Sequence, residues 1–185
     1  MKKIFITFLL FLICQFSAKA IDYDQMYFLT EVPTIKLLHG IDPYQDEDYQ
    51  FYAWAPYPLF RTSSPLYFKT ITVEPGYYLL THRKINDVDY VFFKENGKVT
   101  HIIPVAKIEN IPESFYNKEL PKPKLTKWES FVDKTKKQFF KKAKNSKKVP
   151  PPNSFVDVVR EGKFILIKFY FDKECYWMIF RQEKF

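Results

Sequence analysis

Apolar and polar positions in this chain follow two different periods, and the change of period divides it. From Leu66 onward the runs LYFKTITV, YYLLTHRKI, YVFFKE and KVTHIIPV are rich in aromatic and β-branched residues. Glu74-Pro75-Gly76, Asn86-Asp87-Val88-Asp89 and Asn96-Gly97 separate them. Strand-length runs bounded by turn residues predict an antiparallel meander. Asn96-Gly97 is the firmest of these signals, because both central positions of a type I′ turn require positive φ. Pro75-Gly76 suits the centre of a type II turn. Pairing Glu95 with Lys98 places Phe92 opposite His101 and Phe93 opposite Thr100, so that His82 and His101 fall on opposite faces.

The C-terminal third repeats the pattern with FVDVVR, KFILIKFYF and CYWMIFR around the turns Glu161-Gly162 and Asp172-Lys173-Glu174. Pairing Arg160 with Lys163 and Phe171 with Cys175 gathers Val156, Val158, Ile165, Ile167, Phe169, Phe171, Cys175, Trp177 and Ile179 on one predicted core face. The opposite face, with Phe164, Leu166, Tyr176, Met178 and Phe180, is too apolar for open solvent. The two strand groups are therefore expected to cover one another. The predicted fold is α+β and mainly β: antiparallel sheets in a sandwich or small barrel of about seven strands.

Between the groups the period lengthens to that of a helix, expected at about 126–145. Thr126 and Glu129 fit a capping box. Leu125, Trp128, Val132, Thr135, Phe139 and Ala143 fall on one stripe, and most of the other face is lysine. A Pro-rich linker at 149–152 closes this inserted basic amphipathic helix.

The N-terminal region has neither period. Residues 1–20 read as a secretory signal peptide, with two lysines, an apolar core and Ala18-Lys19-Ala20 as the cleavage site. About 13 apolar residues fall short of the roughly 20 that span a bilayer. The expected location is outside the cytoplasm: periplasmic, envelope-associated or secreted. Residues 21–65 form an acidic, aromatic and mostly irregular segment, with one short strand expected near Tyr27 to Val32, ahead of the β domain at 66–185.

Composition sharpens this picture. Aromatic residues make up 19% of the 185-residue chain, which excludes a disordered tail as the whole. Loss of the signal leaves Cys175 as the one cysteine, so no internal disulfide can form, and a buried inert thiol is expected there. Charge is strongly segregated. Residues 21–50 hold seven acids against Lys36, whereas residues 118–148 hold twelve lysines against Glu119, Glu129 and Asp133. Lys127, Lys134, Lys137, Lys141 and Lys144, with Trp128 beneath, have the composition of an interfacial helix. The partner this implies is an anionic membrane surface or an acidic envelope polymer. Packing of the basic segment on the chain's own acidic segment is the competing use of the same charge. Nucleic acid is not the expected partner of an exported protein whose basic segment lacks arginine.

No motif for catalysis, metal or cofactor emerges. His39, His82 and His101 lack metal-ligand spacing. Asp42, Asp46, Glu47 and Asp48 lack the alternating oxygens and central glycine of a calcium loop, and read as a solvated acidic loop. There is no phosphate-binding glycine loop and no nucleophile elbow. No catalytic, cofactor or metal residue is assigned. The expectation is a non-enzymatic, envelope-associated binding or structural module, with an enzyme whose site crosses the sheets as the alternative.

Overall fold

The computed structural model describes residues 21–53, 55–112, 114–119 and 151–184. Its elements are α1 (Tyr23–Leu29), a 3-10 turn (Leu38–Gly40), α2 (Gln45–Phe51), β1 (Leu59–Thr62), β2 (Leu66–Phe68), β3 (Ile71–Val73), β4 (Gly76–Ile85), β5 (Val88–Glu95), β6 (Lys98–Pro104), β7 (Lys107–Asn110), α3 (Ser114–Glu119), β8 (Ser154–Glu161), β9 (Phe164–Phe171) and β10 (Glu174–Arg181). The basic helix expected at about 126–145 lies outside the described residues.

Two antiparallel sheets, not closed into a barrel, make up the fold. The first has the order β1-β4-β5-β6. The second runs β3-β2-β10-β9-β8, with β7 sharing the β2 edge of β10. Ten strands among the described residues replace the expected seven. The run LYFKTITV is a hairpin rather than one strand: Lys69 takes φ 50° and Phe68 pairs with Ile71. This hairpin and β7 join the C-terminal strands, so the sheets do not coincide with the two sequence groups.

The turn chemistry explains the meander. Asn96 and Gly97 have φ of 50° and 77°, and Asn86 and Asp87 have φ of 50° and 62°. Both pairs therefore meet the type I′ requirement, and strands β4, β5 and β6 follow one another through two-residue loops. Pro75-Gly76 is not the predicted type II turn. Gly76 is outside the positive-φ residues, and the chain at this point passes from β3 in one sheet to β4 in the other.

Two one-residue slips reverse face assignments made from sequence. The first is a bulge between Phe93 and Lys94, after which Phe93 pairs with His101 and Phe92 with Ile102. Because side chains alternate, the extra residue moves His101 to the face of Phe93, which is also the face of His82. The second is the β9–β10 turn. It holds two residues, with Asp172 at φ 55°, so that Glu174 pairs with Phe171 and Cys175 with Tyr170. Tyr176, Met178 and Phe180 consequently join Ile165, Ile167 and Phe169 on the inner face, while Cys175, Trp177 and Ile179 point the other way. The β8–β9 pairing differs from expectation by two residues, since Arg160 meets Ile165, and an even shift leaves the faces unchanged.

The core forms where the inner faces meet. Tyr78, Leu80, Val91, Phe93 and Ile103 of the first sheet and Phe169, Tyr176, Met178 and Phe180 of the second are buried in one cluster. Phe93 and Phe180 touch edge to face at 6.2 Å between ring centroids, a favoured aromatic geometry. The outer face of the second sheet is covered as well. Phe115 of α3 stacks on Tyr170 at 5.0 Å, and Phe155 stacks on Tyr170 at 4.3 Å.

A helix, not the expected strand near Tyr27 to Val32, fixes the N-terminal segment to the sheets. Asp22 caps α1 by accepting the Gln25 amide hydrogen at 3.0 Å, which favours helix at its first turn. The helix then directs Tyr27 inward, where its ring meets Phe68 and Phe164. Its hydroxyl oxygen accepts the Lys69 amide at 2.7 Å.

Candidate functional site

The outer face of the first sheet carries the largest concentration of buried charge among the described residues. Residues Leu79, Thr81 and Arg83 of β4 and Tyr90, Phe92 and Lys94 of β5 share this face by register. Thr81, Arg83, Phe92 and Lys94 are all buried. A lone buried arginine or lysine would be very costly, so each needs an anionic partner. The acidic N-terminal segment supplies it.

Asp42, whose side chain is 0% exposed, lies between both cations. Arg83 Nε donates to its two carboxylate oxygens at 3.1 and 3.0 Å, and Arg83 Nη2 donates to Oδ2 at 2.7 Å. Lys94 Nζ reaches the same Oδ2 at 2.5 Å. Arg83 also pairs with Asp48 and donates to the Tyr57 hydroxyl at 2.9 Å, and that hydroxyl donates to Asp48 at 3.0 Å. Burial acts to raise the pKa of Asp42, but the hydrogen bonds from Arg83 and Lys94 outweigh it and hold the carboxyl below its ordinary range. Lys94 is lowered by burial, with Asp42 opposing the shift. Two acids meet two bases, so the network is neutral as a unit.

Asp42 and Asp48 therefore do not form the solvated acidic loop that the sequence predicts. They belong to a clamp in which Asp42, Asp48 and Tyr57 hold the N-terminal segment against the sheet. Asp46 and Glu47 of the same run remain exposed. The signal that could have revealed the clamp is combinatorial: strand cations on an apolar face and a distant segment with a large acid excess each lack a local partner.

Beside the clamp the same face is open and apolar. Leu59 of β1 is 65% exposed and Tyr77 of β4 is 57% exposed. Arg61 lies over the Tyr77 ring at 5.5 Å. A cleft of about 460 Å³ runs between Leu59, Tyr77 and Leu79 on one side and Lys94 to Gly97 on the other. Apolar side chains rimmed by charge are the composition of an interaction surface. A larger cleft, about 690 Å³, lies between α1 and the ends of β5 and β6, with Met26, Leu29, Val32 and Val88 among its walls.

The remaining reactive side chains have partners of their own. His82 lies on the inner face, its ring stacked on Tyr176 at 4.0 Å and its Nε2 2.7 Å from Asp89 Oδ1. Burial lowers the His82 pKa more strongly than Asp89 raises it. His101 approaches Tyr78 at 6.0 Å, and burial lowers its pKa also. Cys175 is buried, and burial pushes its thiol up to about 12, which is the setting of an unreactive thiol. Trp177 has Lys168 and Lys107 over its ring at 4.0 and 4.8 Å, and its indole donates to Glu109 at 3.1 Å. Among the described residues no group of three His, Cys, Asp or Glu side chains is placed to hold a metal ion.

The residues singled out for anionic-surface contact, Lys127, Lys134, Lys137, Lys141, Lys144 and Trp128, lie outside the described residues. No family model, curated protein or solved structure matches this chain.

Proposed function

We propose that this chain is an exported, non-enzymatic binding module of the cell envelope. The observation that carries the reading is the contrast across the outer face of the first sheet. Its buried charges, Arg83 and Lys94 against Asp42 and Asp48, neutralise one another in the clamp, while Leu59 and Tyr77 beside it are left to solvent. Exposed apolar side chains rimmed by charge are the composition of a docking surface. The signal-like residues 1–20 supply the location, and a chain cut after Ala20 begins at Ile21.

The partner chemistry favoured by the sequence is anionic, whether lipid headgroup or acidic wall polymer. Twelve lysines in residues 118–148 near an anionic bilayer contribute about 1 kcal/mol each within a Debye length. The test uses the full exported chain. Intact mass of the protein recovered from the envelope fraction should place its first residue at Ile21. Sedimentation with phosphatidylglycerol vesicles at low salt should carry the protein down, and replacing Lys134, Lys137, Lys141 and Lys144 by Gln should reduce this by orders of magnitude. A folded wild type that ignores anionic vesicles, together with purified anionic wall polymer, would overturn the partner. Retention of Met1 on envelope material would replace the exported module with an anchored one.

A further inference from the structure

We infer that the chain pairs with a second copy of itself through the outer edge of β8, joining the two larger sheets into one continuous sheet across a twofold axis. Among the described residues, strand β8 bonds only to β9 and ends the second sheet. Its register shows which backbone groups are left over. The turn Gly162-Lys163 makes Glu161 and Phe164 the closing pair, and in a two-residue hairpin that pair exchanges both backbone hydrogen bonds. Alternate residues Val159, Asp157 and Phe155 then also bond to β9. The Asn153 carbonyl accepts the Asp172 amide at 3.1 Å, which continues the same odd-numbered series. Ser154, Val156, Val158 and Arg160 must accordingly point their N–H and C=O groups outward, and among the described residues no backbone partner meets them.

A row of outward donors and acceptors on an eight-residue strand is a pairing template. Val158 stands in its middle, 45% exposed although it lies on the core-facing side of the sheet. The sequence of the edge also selects a register. Twofold antiparallel pairing that keeps both faces in place must match even-numbered residues with even-numbered ones. Centring the axis between Val156 and Val158 puts Asp157 opposite Asp157. Centring it between Val158 and Arg160 puts Asp157 opposite Glu161. Centring it on Val156 brings Pro152, which has no N–H, into the ladder. Directly opposed like charges and a missing donor all disfavour pairing. Centring on Val158 avoids all three: Val158 meets its own copy, Val156 meets Arg160, and Asp157 meets Val159. No other register within the strand is free of these conflicts, so the occupant that fits this edge is the same edge.

Cross-linking at single positions tests both the pairing and the register. In the full chain carrying Cys14→Ser, with Cys175 buried, Val158→Cys places two thiols across the axis. Hydrogen-bonded antiparallel pairs have Cα atoms about 5.5 Å apart, inside the range a disulfide spans. Oxidised glutathione should convert Val158→Cys to a covalent dimer, whereas Asp157→Cys and Val159→Cys, each facing the other position, should give at least tenfold less. Sedimentation equilibrium of the wild type should show a monomer–dimer equilibrium that Val158→Lys shifts at least tenfold toward monomer, with the circular dichroism spectrum and thermal midpoint retained. A wild type that stays monomeric at all concentrations overturns the inference, and a protein partner bound at β8 by that monomer would be the alternative occupant. A dimer unaffected by Val158→Lys, or cross-linked best at another position, overturns it equally.

Discussion

Asp42 and Arg83 are joined by three hydrogen bonds at 2.7 to 3.1 Å although 41 positions separate them in the chain. This pair is where the irregular N-terminal segment becomes part of the fold. Removing one member of a buried ion pair leaves the other desolvated without compensation, which costs about 3–5 kcal/mol. Asp42→Asn should therefore destabilise the protein by that amount, because it exposes both Arg83 and Lys94 to the loss. Asp48→Asn, at a carboxylate with 17% exposure, should cost clearly less. Urea denaturation gives the two values, and limited proteolysis should cut residues 42–57 faster in the first variant. Equal costs would mean that Asp42 is not the centre of the clamp.

Two glycines at positive φ allow a comparison of strain with crowding. A Cβ on Gly97, φ 77°, would meet nothing within 4 Å, whereas one on Gly40, φ 70°, would lie 2.9 Å from the Val99 carbonyl oxygen. Left-handed backbone alone costs an L-residue about 1–2 kcal/mol. Gly97→Ala should show about that loss in thermal denaturation. Gly40→Ala should lose more, since the atom it meets is strand backbone that cannot rotate aside. Indistinguishable losses would show that residues 38–41 can lift away from β6.

The strands were legible because their turns are chemically explicit, and the register was less so because both faces are apolar. Along Phe164–Phe171 seven of eight residues are apolar, so a shift of one residue changes the inner set without violating the pattern. For that reason nothing in the pattern shows that the β9–β10 turn is one residue shorter than Asp172-Lys173-Glu174 predicts. The bulge at Phe93 and Lys94 has no glycine to announce it. The helix α1 was hidden in seven residues, too few for a helical period to emerge from Tyr23 to Leu29. Of the clamp, the acid excess of residues 21–50 was visible, but nothing local connects Asp42 with Arg83; only the fold brings them together.

Acid should weaken the protein before its carboxylates titrate. The His82 pKa is lowered, burial being the larger cause and Asp89 the main opposing one, and His101 is lowered by burial. Both folded values lie below the ordinary 6.5, so on acidification the unfolded chain takes up these protons first. Stability from these two residues is complete above about pH 6.5 and declines as pH falls from there toward the folded values. Asp42 adds a second loss as pH falls below its ordinary 3.8. The urea midpoint should thus drop between pH 7.5 and pH 5.5, and His82→Gln should reduce that drop. A midpoint that rises over the same interval would mean that Asp89 dominates and His82 is held charged.

Thr81 offers a stabilising substitution on the clamped face. Its hydroxyl is buried and has no hydrogen-bond partner among the described residues, and leaving such a group unmade costs about 1–3 kcal/mol. Valine has the same branching at Cβ and replaces the hydroxyl by a methyl, so Thr81→Val should stabilise the protein by about 1 kcal/mol. Thr62 provides the contrast. Its hydroxyl donates to the Ser64 carbonyl at 2.5 Å, and Thr62→Val should destabilise by about 1 kcal/mol because that carbonyl loses its donor. Both sites are threonines in or beside the first sheet with little exposure, so β-propensity and burial change alike in the two variants and the difference isolates the hydrogen bond. If Thr81→Val loses as much as Thr62→Val in urea denaturation, the Thr81 hydroxyl has a bound water for a partner, and the outer face is wetter beneath the clamp than its burial implies.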